Sequence, residues 1–104
     1  MQTNYLEEIK NEVANNKVLL YAKGNKEQPR CGFSATTIQI LNSYNIPFVV
    51  IDVLINQDKK EALKQFSDWP TVPQLYINGK FVGGCDITRE LHESGELKQI
   101  LTKD

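Results

Sequence analysis

Apolar positions change period several times along this chain, and each change marks an element. Leu6, Ile9 and Val13 fall at helical spacing, so residues 3–15 are expected to form an amphipathic helix. Lys17 to Ala22 is short and apolar, which suits a strand. Gly24 to Arg30 is polar and holds Pro29, hence a loop. From Cys31, the residues Ala35, Ile38 and Leu41 repeat on one helical face, and this second helix runs to about Ser43. Pro47 borders a second strand, Phe48 to Val53. Asn56 can cap a third helix, Asn56 to Phe66, with Asp58 in its first turn and Ala62, Leu63 and Phe66 on its inner face. Pro70 and Pro73 interrupt the chain before a third strand, Gln74 to Ile77. Asn78-Gly79 is a strong hairpin signal and leads into a fourth strand, Lys80 to Val82. Asp86 can cap a helix from Ile87 to Glu93, Gly95 breaks it, and Glu96 to Leu101 adds a final turn or two.

A helix between the first two strands implies a parallel, right-handed crossover, and the last two strands form a hairpin. The expected architecture is therefore α/β: a mixed four-stranded sheet with helices on both faces. No repeat, low-complexity tract or linker divides it, so residues 1–104 are expected to form one domain.

Composition narrows the function classes. A chain of 104 residues supports one core, and 40% hydrophobic with 24% charged residues is ordinary for a soluble globular domain. A net charge of −1 gives no electrostatic case for nucleic acid. The longest apolar runs, such as Phe48-Val49-Val50-Ile51, fall far short of the ~20 residues a membrane span needs. The stretch Met1 to Glu8 lacks the basic and apolar regions of a signal peptide and the Arg-rich character of a transit peptide. The expectation is a cytoplasmic protein, although a processed organellar form would read the same way. Two cysteines, Cys31 and Cys85, do not suggest a disulfide framework. No His or Cys pair has zinc-finger spacing, and His92, the only histidine, reads as a surface residue with no catalytic task.

The chemistry gathers around Cys31-Gly32-Phe33-Ser34. A thiolate at a helix N-terminus gains from unpaired backbone N–H groups and the positive end of the helix dipole. Cys31 is thus suited to act as a nucleophile or a metal ligand near neutral pH. The position three residues on is Ser34, so this motif has no internal dithiol. Lys23 follows the first strand, and a positive charge there would stabilise the thiolate; the alternative is a solvated surface lysine. Gly83 and Gly84 let a ligand approach the backbone closely. Cys85 is either a buried residue or a second thiol.

Four blocks carry a resemblance: Lys23-Gly24, Cys31-Gly32-Phe33-Ser34, Trp69-Pro70-Thr71-Val72-Pro73-Gln74, and Gly83-Gly84-Cys85-Asp86. In order and separation they resemble the monothiol glutaredoxins of the CGFS type, over nearly the whole chain. The resemblance implies a thioredoxin-like fold. It implies that Cys31 is the active-site thiolate and the chain's sole ligand to a shared [2Fe–2S] cluster, with Phe33 at the cluster rim. It implies a glutathione site made of Lys23, Lys60, Thr71, Val72, Pro73, Gly84, Cys85 and Asp86. In that site Lys23 meets the glycine carboxylate, and a cis bond before Pro73 presents the Val72 backbone to the cysteinyl unit. Asp86 meets the γ-glutamyl end. Trp69 supports the loop before Pro73. Lys60 departs from the family, where arginine is common; lysine keeps the charge and loses the bidentate fork.

The function implied is that of an iron–sulfur carrier. A [2Fe–2S] cluster usually takes four thiolates. Two chains and two glutathiones supply four, hence a cluster-bridged homodimer that delivers to apo iron–sulfur proteins, with a BolA-like protein as a further partner. The rival is a glutathione-dependent oxidoreductase working by a monothiol route. Against it stands the polar insertion Gly24 to Gln28, which the resemblance associates with weak transfer. A third reading, a thiol sensor using Cys31 and Cys85, needs both thiols within disulfide geometry.

Overall fold

The computed structural model describes residues 4–103. Thr3, where the first helix is expected to begin, lies outside them. Helix α1 spans Tyr5–Asn15, and its N-cap is Asn4, whose side chain accepts a 3.1 Å hydrogen bond from the Glu7 amide. Glu7 and Glu8 in the first turn suit the positive end of the helix dipole. Strand β1, Val18–Ala22, is buried along its whole length. It leads through the loop at 23–31 into α2, Gly32–Asn42. Strand β2, Val49–Asp52, is followed by α3, Gln57–Ser67, whose N-cap Asn56 accepts from the Lys59 amide at 3.1 Å. Strands β3, Gln74–Ile77, and β4, Lys80–Gly83, form the hairpin. Its turn residues Asn78 and Gly79 both have positive φ, 53° and 79°, as the tight turn between twisted strands requires. Helices α4, Cys85–Ser94, and α5, Glu96–Thr102, close the chain.

The sheet order is β2-β1-β3-β4, with β1 parallel to β2 and the other pairs antiparallel. β1 lies inside the sheet, and alternate residues serve two cores. Val18, Leu20 and Ala22 pack with Ile38 and Leu41 of α2 and with Leu97 and Leu101 of α5. Leu19 and Tyr21 pack with Ile9 and Val13 of α1 and Leu63 of α3. The helices therefore lie on both faces.

Three local expectations change. The α4 N-cap is Gly84 and the helix begins at Cys85, so Asp86 is not the cap. The Thr88 amide and hydroxyl both bond to the Gly84 carbonyl, at 3.0 and 2.8 Å, and that pins the first turn two residues earlier than an Asp86 cap would. Phe66 is partly exposed and meets the edge of the core beneath α1 and α3 through Tyr76, with ring centroids 6.1 Å apart. Leu6 is likewise exposed, because α1 buries only Ile9 and Val13.

Candidate functional site

Every residue expected at the site borders one cleft of about 460 Å3. Its walls come from the end of β1, the start of α2, α3, the loop before β3 and the start of α4. Lys23, Cys31 and Phe33 form one part, and Thr71, Val72, Pro73, Gly84, Cys85 and Asp86 form the opposite wall, with Lys60 on the α3 side. Lys64, Pro70 and Ile87 border it too, and sequence reasoning passed over them. The signal for Lys64 was available: it stands four residues after Lys60, on the same helical face. Trp69, expected only to support the loop, also borders the cleft, with its ring 5.7 Å from that of Phe81.

Cys31 is the N-cap of α2, in extended conformation, and makes no side-chain capping bond. Its sulfur faces the amides of the first turn. Its pKa is lowered from the ordinary cysteine value, first by the backbone N–H of Ser34 and then by that of Phe33. Burial opposes the shift, while the charge of Lys23 and the hydroxyl of Ser34 add to it. Ser34 is fully buried, and its Oγ accepts a 3.0 Å bond from the Lys23 amide. The end of β1 and the start of α2 are thereby tied together beneath the thiol.

The polar insertion between them is an ordered turn. Gly24 and Pro29 form an antiparallel bridge, and the Arg30 amide bonds to the Lys23 carbonyl at 2.8 Å. The Asn25 side chain accepts from the Glu27 and Gln28 amides, at 3.0 and 2.7 Å. Gly24 has φ of 90°, and a Cβ there would stand 2.5 Å from the Arg30 nitrogen and the Gln28 oxygen, so the turn requires glycine. Lys26 reaches the residue just before β2, donating to the Phe48 carbonyl at 2.9 Å with its ammonium 3.9 Å from the Phe48 ring centre.

On the opposite wall the Val72–Pro73 bond is cis. The Val72 side chain joins the core beneath α1 and α3, while its amide and carbonyl make no hydrogen bond among the described residues. Gly84 passes so close to this loop that a Cβ there would lie 3.3 Å from the Pro73 oxygen. Cys85, the first residue of α4, is only 6% exposed. The Asp86 carboxylate is exposed and accepts from Arg89 Nη2 at 2.8 Å. Cations on one side, a carboxylate on the other and an unpaired backbone segment between them suit an extended, zwitterionic peptide. His92 stands outside this constellation, on the surface of α4, where its ring meets Tyr44.

Comparison with known proteins agrees with this geometry. The glutaredoxin family profile matches residues 18–82. A probable monothiol glutaredoxin 2 from Rickettsia conorii is 58% identical over 93 residues, covering 89% of this chain and 87% of the relative. The chloroplastic monothiol glutaredoxin-S7 of Oryza sativa subsp. japonica is 53% identical over 91 residues, 88% of this chain and 54% of its own length. The solution structure of reduced poplar apo GrxS14 superposes with a TM-score of 0.79 at 49% identity, covering 89% of this chain and 85% of that one. The crystal structure of a buckwheat glutaredoxin–glutathione complex gives 0.83 at 27% identity, covering 94% and 87%. With a lone thiol at the head of α2, a cis-proline loop facing it and these relatives, the chain belongs to the glutaredoxin family, among its monothiol members.

Proposed function

We propose that this chain, acting as one cytoplasmic glutaredoxin domain, binds glutathione in the cleft and carries a [2Fe–2S] cluster as cargo between two copies of itself. The observation that carries this reading is the lone, lowered thiol of Cys31 at the rim of a peptide-sized cleft with cations on one side. Glutathione offers two carboxylates, one ammonium and an extended backbone. Lys23, Lys60 and Lys64 suit its glycine carboxylate, and the Val72 backbone suits its cysteinyl unit. Asp86 suits the γ-glutamyl ammonium, and the amides opening α4 suit the carboxylate beside it. The buckwheat glutaredoxin in complex with glutathione supports glutathione as the ligand.

The donor set fits a shared cluster. Among the described residues no group of three or more His, Cys, Asp or Glu gathers to hold a metal ion. Cys85 is buried, so one chain offers one accessible thiolate. A [2Fe–2S] cluster held by four thiolates then draws on Cys31 from two chains and on two glutathiones. Phe33, 62% exposed, and Ile87 give the rim an apolar surface suited to a second copy. Ligands that a small molecule supplies exchange readily, which favours delivery to apo iron–sulfur proteins. A BolA-like protein in place of the second copy belongs to the same reading.

The lowered thiol also supports a second activity. Cys31 thiolate would attack the glutathionyl sulfur of a mixed disulfide, expelling the substrate as its thiolate, which takes up a proton. A second glutathione thiolate would then attack the Cys31–glutathione disulfide, releasing oxidised glutathione and restoring Cys31. The polar insertion at Gly24 to Gln28, which the family resemblance associates with weak transfer, favours the carrier over this transferase.

Anaerobic reconstitution with iron, sulfide and glutathione, followed by visible spectroscopy and size-exclusion chromatography, tests the proposal. Charge-transfer bands on a dimer are expected, lost on omitting glutathione or with Cys31→Ser and retained with Cys85→Ser. A colourless monomer would overturn the carrier reading in favour of the transferase.

A further inference from the structure

Gln74 is an uncharged polar residue on β3 that is fully buried, and both donors and the acceptor oxygen of its side-chain amide have partners. Nε2 donates to the carbonyls of Trp69 and Thr71, at 3.2 and 3.1 Å. Oε1 accepts from the Tyr76 hydroxyl at 3.2 Å. Two carbonyl acceptors on one side and a hydroxyl donor on the other leave the amide one orientation. The loop is held at its start as well: the Trp69 amide donates to Ser67 Oγ at 3.1 Å, and that hydroxyl donates to the Leu63 carbonyl at 3.0 Å.

The Thr71–Val72 peptide is trans and planar, so its C=O and N–H point in opposite directions. Gln74 draws the Thr71 oxygen inward. The Val72 N–H must therefore face away from Gln74, on the side where Val72 borders the cleft. We infer that Gln74 is a positioning residue: by gripping the Thr71 carbonyl it aims the Val72 amide at the backbone of a bound peptide. This inference rests on the glutathione reading for the identity of that peptide and on the geometry alone for the aiming. A fixed donor binds better than one that must first rotate into place. Leucine or methionine at this position would deprive two loop carbonyls and one buried hydroxyl of these partners. Glutamate would set a carboxylate against two carbonyl oxygens.

The test uses the reduced full chain with Gln74→Met, which keeps length and burial. In the ligand-free protein the Val72 N–H residual dipolar coupling is expected to change while those of β1 and β3 hold. Glutathione affinity by calorimetry should fall about tenfold, as expected when a buried hydrogen-bond network loses its centre. The pH midpoint of Cys31 alkylation should not move, because the thiol answers to α2 and Lys23, a readout that general loosening would disturb. Tyr76→Phe, which frees only Oε1, should weaken binding about threefold and serves if Gln74→Met does not fold. An unchanged Val72 coupling, or an affinity within about twofold of wild type, would overturn the inference. If the wild-type chain binds no glutathione, the functional reading falls, and the Val72 coupling still decides the aiming.

Discussion

Lys59 and Lys60 are neighbours in sequence and opposites in task. On a helix, successive side chains diverge by about 100°, so α3 turns one lysine toward α1 and the other toward the cleft. Lys59 is 7% exposed, and its ammonium meets Glu12 Oε2 at 2.7 Å and Glu8 Oε1 at 3.2 Å. Glu12 in turn accepts from the buried Tyr21 hydroxyl at 2.7 Å. Burial pulls the Lys59 pKa down, but the hydrogen bonds and charges of Glu12 and Glu8 outweigh it, and the net shift is upward. Burial raises the Tyr21 hydroxyl well above its ordinary value, and its bond to Glu12 adds to the rise. Lys60 borders the cleft and makes no salt bridge among the described residues. The contrast separates two uses of one charge. A lysine saturated by its own protein fastens elements together, and a lysine left unsaturated at a cleft is available to a ligand.

The largest effect should come from breaking the saturated one. Lys59→Ala leaves Glu12 and Glu8 without their cation, and urea unfolding should show a loss of about 2 kcal/mol. That lies below the usual cost for a fully buried pair because Glu8 and Glu12 retain 42% and 22% side-chain exposure. The pH dependence has a definite sign. A raised lysine pKa contributes stability that is complete below the ordinary lysine value and lost as pH climbs through the raised one. Lys59→Ala should lose stability less steeply at alkaline pH than wild type, and the loss that remains comes from Tyr21, whose raised hydroxyl acts with the same sign. A Lys59→Ala protein as stable as wild type would erase the contrast.

Lys60→Ala should do the reverse. Stability should stay within about 0.5 kcal/mol, while calorimetric glutathione affinity falls about fivefold. Lys60→Arg should restore the fork that pairs with a carboxylate and raise affinity about twofold. The smallest effect sharpens the comparison with a third lysine. Lys23→Gln should move the pH midpoint of Cys31 alkylation upward, yet leave it below that of the urea-unfolded chain, because the Ser34 and Phe33 amides still act on the sulfur. Lys59→Ala should not move that midpoint at all.

Much of this molecule was legible in advance, and the misses have physical causes. Periodicity located each of the four strands within two residues at either end, and Asn56 was readable as a cap because a side-chain acceptor three residues ahead of a free amide is a local matter. Asp86 was misread for the same reason in reverse: local chemistry favoured an aspartate cap, but the Gly84 carbonyl took the Thr88 amide and hydroxyl. Lys59 carried no signal, since a lysine buried against two glutamates of another helix looks like any surface lysine in sequence. Gln74 stands in a family block and at the start of a strand, but neither reveals its grip on the loop, because its partners are carbonyls of a loop whose path the sequence does not state.

The sequence by itself determined the elements, the lone thiol at a helix start, the absence of a second cysteine three residues on and the blocks that mark the family. These depend on spacing and residue type along one segment. Only the tertiary structure decided which charges are spent and which are available, that the cleft collects Ile87 as well, and that a buried amide grips the loop facing Cys31. Such facts depend on distances between segments far apart in the chain. No local periodicity encodes them, because burial and hydrogen-bond saturation exist only once β1, β3 and the helices on either face have packed.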